Sequence, residues 1–472
     1  MLSPSASSAA VVQTDVVAVG QSEKIGERSV VFGWQAVAME DAKPLPVSQR
    51  AFESSGPGRF RFAVAVDDRS PQREVTLRLA RGGKVLARAE VRYAPVFQPY
   101  FLLVGLEDLV ATRRDGLELV STGSSQPLWL FTDTSGEAPH LELGWDSATE
   151  DTDKLTQFYK RLRGIETIQP YGWMEGCVLD GLMDLAESTG EAIWLDSVRR
   201  RMACYFDASG CLVYEDNRGT KSVDKIYGIE GLLPMAALAR LHPKHPALEL
   251  VKVFARRRLA ELGAIHDPGE LTAEGFYTVS YTLSVLARTE PEWGEIALAE
   301  LRRRHERLRH EGALYLRYHT DGRLTFRWWA RGVAWYLLGT VRTLRELGTP
   351  LDSFRSILTA DVANVLAWQR PDGLWDCFLD DSDSEADTSG SAGIAAALAL
   401  GARMGLFEDN ALQSAWRCWH GLHKHLTPDG FLAGAAQVNR GGEALQLSDY
   451  RVISPYAMGL MAQLASALPV NG

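Results

Sequence analysis

The residues able to do chemistry in this sequence are carboxylates, histidines and one arginine interleaved with aromatic rings. They are Trp173, Glu175, Asp216, Asp224, His266, Glu274, Tyr318, His319, Trp328, Trp329, Arg331, Trp335, Trp375, Asp376, Asp387, Thr388 and Ser389. Trp and Tyr rings stack on the apolar C–H face of a pyranose, and the planar fork of Arg grips a carboxylate through parallel N–H donors. Two carboxyl groups, one protonated and one ionised, supply the acid and the base of a hydrolytic step. The combination suits a sugar acid.

Each candidate also has a packing explanation. A Trp at the head of a helix serves the core, Asp387-Thr388-Ser389 reads as an N-cap cluster, and Glu175 and Asp224 read as caps or first-turn acids. Arg331 differs, because a cation in the first turn of a helix opposes the helix dipole and needs another partner. The acidic run Asp380–Glu385 lacks the glycine and terminal Glu spacing of an EF-hand and reads as a solvated loop. His420, His423 and His425 have no Glu in HExxH spacing and read as surface or packing residues. No motif calls for a metal or an organic cofactor.

Two kinds of periodicity position these residues. From about 10 to 148 apolar residues alternate in short runs, as in Ser29–Trp34, Phe60–Val66, Val75–Leu79 and Val85–Val91, which predicts half-buried antiparallel strands and a β-sandwich-like accessory domain over 1–150. After 150 the spacing becomes helical. It predicts twelve helices near 152–164, 175–188, 192–206, 227–241, 246–262, 274–289, 292–308, 330–347, 352–369, 388–404, 410–425 and 453–467. Tight links alternate with longer ones that carry a turn glycine: Gly210, Gly312, Gly373, Gly430 and a degenerate Gly263. One such turn per helix pair marks stacked helical hairpins. Six hairpins close into an all-α (α/α)6 barrel over 151–472, with the long loops and the functional residues on one face.

Composition narrows the partners. The 472 residues carry 60 acidic against 50 basic side chains, a net charge of −10, and no extended Lys/Arg run, which argues against nucleic acid. No stretch reads as membrane-spanning. Five cysteines without a CxxC pair suggest reduced thiols, and the N-terminus lacks the basic and apolar regions of a secretion signal, so a cytoplasmic location is expected. Whether the chain forms a homo-oligomer is left open.

Three segments carry a resemblance to the unsaturated glucuronyl and rhamnogalacturonyl hydrolases, glycoside hydrolase families 88 and 105. Trp173–Glu191 resembles the W-x-x-x-G-x-x-x-x-G-L…T-G-D helix, Trp329–Trp335 the W-x-R-G-x-x-W segment, and Asp387–Ala392 the E-T-S-x-S-A cap. The likeness spans roughly 152–467. It implies a pair of catalytic carboxylates. Val223–Gly228 resembles the segment of the first, Asp224; the second, an Asp in the family's D-x-L-Y-M run, is matched by Glu274, one methylene longer. It further implies substrate contacts from His266, from His319 or Arg317 in place of a Y-H-G-W tip, and from Trp173, Glu175, Trp329, Arg331, Trp335, Thr388 and Ser389.

The reaction implied is hydration of the 4,5-double bond that polysaccharide lyases leave on a terminal uronic acid. Glu274 would deliver the proton, Asp224 would hold ring hydroxyls and tune Glu274, Arg331 with His319 would hold the carboxylate, and Trp329 and Trp335 would stack on the sugar. Two other readings stand beside it: a glycosidase of saturated glucuronides using the same carboxylates, and a non-catalytic carbohydrate-binding protein.

Overall fold

A computed structural model describes residues 12–13, 30–34, 36–47, 58–132, 142–145, 153–215, 221–348 and 352–469; Asp216 lies outside them. The chain divides into two compact units. One comprises Met1–Gln157, Ile165–Thr167 and Pro428–Gly430, the other Phe158–Gly164, Ile168–Thr427 and Phe431–Gly472.

In the first unit, alternation produces antiparallel sheets. One sheet has the order Val12–Gln13, Glu142–Trp145, Gly58–Ala63, Pro99–Val104, and another the order Pro44–Val47, Leu117–Thr122, Arg73–Leu79, Val85–Val91. Ala36–Met39 pairs with Leu128–Phe131. Val75, Leu77 and Leu79 share one apolar core with Phe60, Phe62 and Leu102. Two features depart from the alternation. Within Ser29–Trp34 the described residues form a 3-10 turn, Val31–Gly33, rather than a strand. Phe32 there adopts a left-handed φ of 58°, held by ring contacts with Trp34 and Phe97 at 5.0 and 5.7 Å. A helix, α1 (Leu106–Asp115), adds Leu109 to the sheet core, with Glu107 and Asp108 in its first turn and Arg113 and Arg114 in its last, the charge order its dipole favours.

The second unit is helical: α2 (Lys154–Arg163), α3 (Trp173–Thr189), α4 (Ala192–Ala203), α5 (Leu233–Leu241), α6 (Leu248–Leu262), a π-helical turn (Phe276–Tyr281) continued by α7 (Thr282–Leu286), α8 (Glu292–Leu308), α9 (Ala330–Leu347), α10 (Asp352–Ala367), α11 (Thr388–Arg403), α12 (Asp409–His423), α13 (Gly442–Leu447) and α14 (Pro455–Ala467). Six of them close a ring, α3 on α5, α5 on α7, α7 on α9, α9 on α11, α11 on α14 and α14 on α3, while α4, α8 and α12 pack outside α3, α7 and α11. The ring helices are covered on nearly every side and largely apolar; Ala330–Leu344 of α9 is buried without interruption. The chain turns back after α4, α6, α8, α10 and α12 at Gly210, Gly263, Gly312, Gly373 and Gly430, all with φ between 68° and 90°, a region where a Cβ is strained. This is the repeated turn expected from the sequence.

The ring is tight enough for backbones to touch. A Cβ on Gly459 of α14 would lie 2.5 Å from the carbonyl oxygen of Cys177 in α3, and one on Gly181 would lie 2.4 Å from that of Gly459. Inside the ring runs a polar network. The Tyr277 hydroxyl donates to Asp180 at 2.6 Å, Arg240 donates to Asp180 and Asp184 at 3.1 and 2.9 Å, and Arg342 donates to Asp184 and, at 2.7 Å, to Gln463. Burial alone would raise the Asp184 carboxyl, but the Arg342 and Arg240 guanidiniums outweigh it and hold the group down to about 2.

Two outcomes follow from this packing. Ala in place of Gly within a helix normally gains about 1 kcal/mol, whereas overpacking costs about 1–3 kcal/mol; Gly459→Ala should therefore lower the thermal midpoint, and a raised midpoint would contradict the close approach. Asp184 titrates lower in the folded chain than its usual 3.8, so its stabilisation is complete above that value and is lost as pH falls towards 2, on the order of 2 kcal/mol. Asp184→Asn should be less stable at neutral pH and show a flatter loss of stability between pH 4 and 2, measured by urea unfolding across that range.

Candidate active site

The candidate carboxylates stand on chain entering neighbouring ring helices. Asp224 follows the hairpin Val213–Glu215 with Lys221–Val223 and precedes the 3-10 turn Ile229–Leu232 that leads into α5. It is exposed, its φ is 47°, and its backbone N–H donates to Leu212 at 2.7 Å; Asp is among the few side chains that tolerate this conformation. Its carboxylate makes no hydrogen bond or ion pair among the described residues. Glu274 leaves the strand Glu270–Thr272 and opens the helix that becomes the π turn. It is half-buried, and its field is the smallest of those that, led by Tyr456 and Asp387, raise Arg331 above the usual arginine range against the lowering effect of burial.

Both sides of Glu274 are fixed. Before it, the Ala273 N–H donates to Leu316 at 2.8 Å. After it, Gly275 faces the fully buried Arg304, whose guanidinium donates to Glu300 and to the Ile265 carbonyl, both at 2.6 Å; a Cβ on Gly275 would lie 2.2 Å from Arg304 Nε.

The strand register builds a polar face beside Glu274. Glu270 pairs with His319 and Thr272 with Arg317, so all four side chains point the same way. Glu270 Oε2 is 3.4 Å from Arg317 Nε and 3.7 Å from His319 Nδ1, and His319 Nε2 is 3.1 Å from the Thr325 hydroxyl. Sequence reasoning missed Glu270; its position two residues before Thr272 in an alternating strand was the available signal. His266 is half-buried and its Nδ1 lies 2.7 Å from the Asp267 carbonyl oxygen. A carbonyl only accepts, so Nδ1 is the donor in this contact.

The remaining candidates are interior. Arg331 is 1% exposed and its terminal nitrogens donate to the carbonyls of Ala436 and Gln437 at 2.7 and 2.6 Å and to Asp387 and Ser389 at 3.3 and 3.4 Å. This supplies the partner that a first-turn cation needs. Asp387 is also the N-cap of α11, accepting from the Ser389 N–H and hydroxyl at 3.0 and 2.6 Å, and the Thr388 hydroxyl donates to the Ala433 carbonyl at 2.9 Å. Glu175 is fully buried and held by Arg201 at 2.7 and 3.0 Å and by the Gln169 N–H at 2.8 Å; burial raises its carboxyl despite Arg201.

The ring faces are largely occupied. Arg331 lies 4.2 Å over Trp329, while Trp335 packs against Trp173 at 5.3 Å and Tyr277 at 5.9 Å. Trp329 and Trp335 are each 2% exposed, against 8% for Trp173. A sugar stacked on Trp329 or Trp335 would displace a neighbour each has here. Among the described residues no group of three or more His, Cys, Asp or Glu could hold a metal ion, and no helix is long and apolar enough to cross a membrane.

Residues 310–467 match Glycosyl Hydrolase Family 88. The matched stretch carries Arg317, His319, Trp329, Arg331, Trp335, Thr388 and Ser389; Asp224 and Glu274 precede it. No curated protein matches the chain.

Solved glycoside hydrolases share the fold of the helical unit. A family 105 enzyme from C. acetobutylicum ATCC 824 aligns with a TM-score of 0.55 at 18% identity over 68% of this chain and 99% of its own. A possible GH105 member from Salmonella enterica serovar Paratyphi A aligns at 0.54, with 19% identity over 65% and 83%. An unsaturated glucuronyl hydrolase specific for heparin aligns at 0.50, with 16% identity over 66% and 94%. At these identities the likeness establishes the α/α-barrel fold.

Removing one partner of a buried ion pair costs about 3–5 kcal/mol, because the other charge is left unmatched. Glu175→Gln should therefore lower stability by roughly 3 kcal/mol in denaturant titration. An unchanged midpoint would show that Arg201 does not depend on Glu175.

Proposed function

We propose that the helical unit removes a terminal 4,5-unsaturated uronic acid from an acidic oligosaccharide by hydrating its double bond, with the β-rich unit as an accessory domain. The observation that carries the reading is Glu274: a half-buried carboxyl at the entrance to a ring helix, close enough to the buried Arg331 to feel its charge, with His266 on the chain before it and the Arg317 and His319 face beside it. The motif likeness around Arg331 and Asp387 and the match over 310–467 support the same reaction class.

In this reading the Glu274 carboxyl gives its proton to C4, and the π pair of the C4–C5 bond forms the new C–H bond. The positive charge left at C5 is shared with the ring oxygen. Water adds at C5 and returns a proton to the Glu274 carboxylate. The resulting hemiketal opens by breaking the bond between C5 and the ring oxygen, which takes the C5 hydroxyl proton; the hemiacetal so left at C1 then breaks its bond to the next sugar's oxygen, which leaves with the hemiacetal hydroxyl proton as C1 becomes an aldehyde. Arg317 and His319 bind the uronate carboxylate, Asp224 accepts from ring hydroxyls, and Trp173, the most accessible tryptophan of the predicted set, offers the apolar face. Arg331 acts through its field on Glu274 and by fixing the head of α9, since both its terminal nitrogens are already donating within the protein.

The test is turnover of unsaturated disaccharides, followed as loss of the ultraviolet absorbance of the conjugated double bond, with saturated glucuronides in parallel. Wild type should consume the unsaturated substrate, and Glu274→Gln should lose at least a hundredfold in kcat. Glu274→Asp, which withdraws the carboxyl by one methylene, should fall by roughly a hundredfold, the usual effect of misplacing a reacting group by about 1 Å. Full turnover by Glu274→Gln would remove Glu274 from the chemistry. Cleavage of saturated glucuronides alone would replace hydration by displacement at the anomeric carbon.

A further inference from the structure

Where α3, α9, α11 and α14 end, the helical unit holds a polar cavity of about 170 Å³ lined by Asp184, Glu187, Arg342, Arg345, Arg403 and Gln463, among others. A single water needs roughly 10–15 Å³ of such space. None of these residues belongs to the site described above, which is built on the chain entering the ring helices.

The charges at this cavity are unevenly matched. Asp184 and Glu187 already have close partners: Arg240 donates to Asp184 at 2.9 Å and to Glu187 at 2.6 Å, and Arg342 is committed to Asp184 and Gln463. Arg345 and Arg403 are held more loosely. The nearest acid to Arg345 is Glu346 at 3.7 Å, and Glu346 is more closely engaged by Arg288 at 2.6 Å. Arg403 uses one terminal nitrogen on the Ser466 and Ala467 carbonyls at 3.3 Å, so its other donors are unspent.

Deeper in the wall, Arg342 is 1% exposed, yet its Nε–H finds no acceptor among the described residues. A buried, charged donor left unpaired is costly and ordinarily takes a partner from solvent or a ligand. Helix C-termini attract cations through their carbonyls, which accounts in part for Arg345 in the last turn of α9 and Arg403 in the last turn of α11, but not for the buried Arg342 Nε–H.

We propose that this cavity binds a small tetrahedral oxyanion of the sulfate or phosphate type, held by Arg345 and Arg403 at the rim and by Arg342 at the base. Guanidinium groups recognise such anions through paired N–H donors. The polar network of the ring lies directly behind the site, since Arg342 also contacts Asp184 and Gln463, and Gln463 accepts from the Tyr277 hydroxyl at 3.2 Å.

Isothermal titration of the full chain with sodium sulfate and with sodium phosphate, ionic strength being held constant with sodium chloride, tests this. One saturable site is expected for at least one of the two anions, and the preferred anion identifies the occupant. Arg345→Gln and Arg403→Gln should each weaken binding at least fivefold, and the double variant should abolish it. Arg345→Lys, which keeps the charge but loses the fork, should weaken it about threefold. Both side chains reach solvent, so circular dichroism should report unchanged folding. No saturable heat beyond chloride, or undiminished binding by the folded double variant, overturns the proposal.

Discussion

A guanidinium buried at the head of a helix has to be matched from outside that helix, and the helical unit is organised around one. Arg331 sits where the dipole of α9 repels it, and it is satisfied by carbonyls of Ala436 and Gln437, by the Asp387 carboxylate that caps α11, and by the Ser389 hydroxyl. The same Asp387 accepts from the Ala436 N–H at 3.0 Å. One charged group therefore fixes α9, α11 and the segment before α13 relative to one another. Burial lowers Arg331, but the fields of Tyr456 and Asp387, with a smaller one from Glu274, raise it above the usual arginine range. The scaffold and the reactive group share one electrostatic balance, so a change at Arg331 would be felt both in packing and at Glu274.

The helical half was legible because burial imposes period. Helices stand at all twelve expected places, although the one expected from 227 is α-helical only from Leu233, after the 3-10 turn Ile229–Leu232, and the glycine turns fall where they were expected, since a left-handed turn after each outer helix admits few other residues. Other elements were not legible, for identifiable reasons. Phe276–Tyr281, rich in aromatic and β-branched residues, carries no sign of a π turn. The helix Leu106–Asp115 lies among strands and has only a weak apolar face, with Leu109 as its inserted side chain. The run Ser29–Trp34 alternates like a strand, but local ring packing bends its described part into a turn.

The site was legible in kind more than in detail. Residue types pointed to carboxylates beside aromatic rings and an arginine, and the structure sets Arg317 and His319 on one strand face with Glu270. What sequence could not show is how far each side chain is already engaged. Glu175, Thr388 and Ser389 look like binding residues by type, yet each is fully buried with internal partners. Asp387-Thr388-Ser389 satisfies its packing explanation as a cap while also supplying the anion for Arg331, so the two interpretations of that tripeptide are compatible.

The π turn has one further implication. A helix advances about 100° per residue, and a π turn accommodates one residue more than the α-helical repeat, as such turns commonly do near functional sites. Here the surplus falls between Glu274 and α7. The orientation of the carboxyl is thereby uncoupled from the phase of the helix behind it, whose Thr282 hydroxyl donates to the Leu232 carbonyl at 3.3 Å. Removing a single residue from Phe276–Tyr281 would give a more regular helix with its rear contacts intact and would swing Glu274 by roughly a quarter turn; a small irregularity of the backbone thus sets the aim of the group on which the chemistry is proposed to rest.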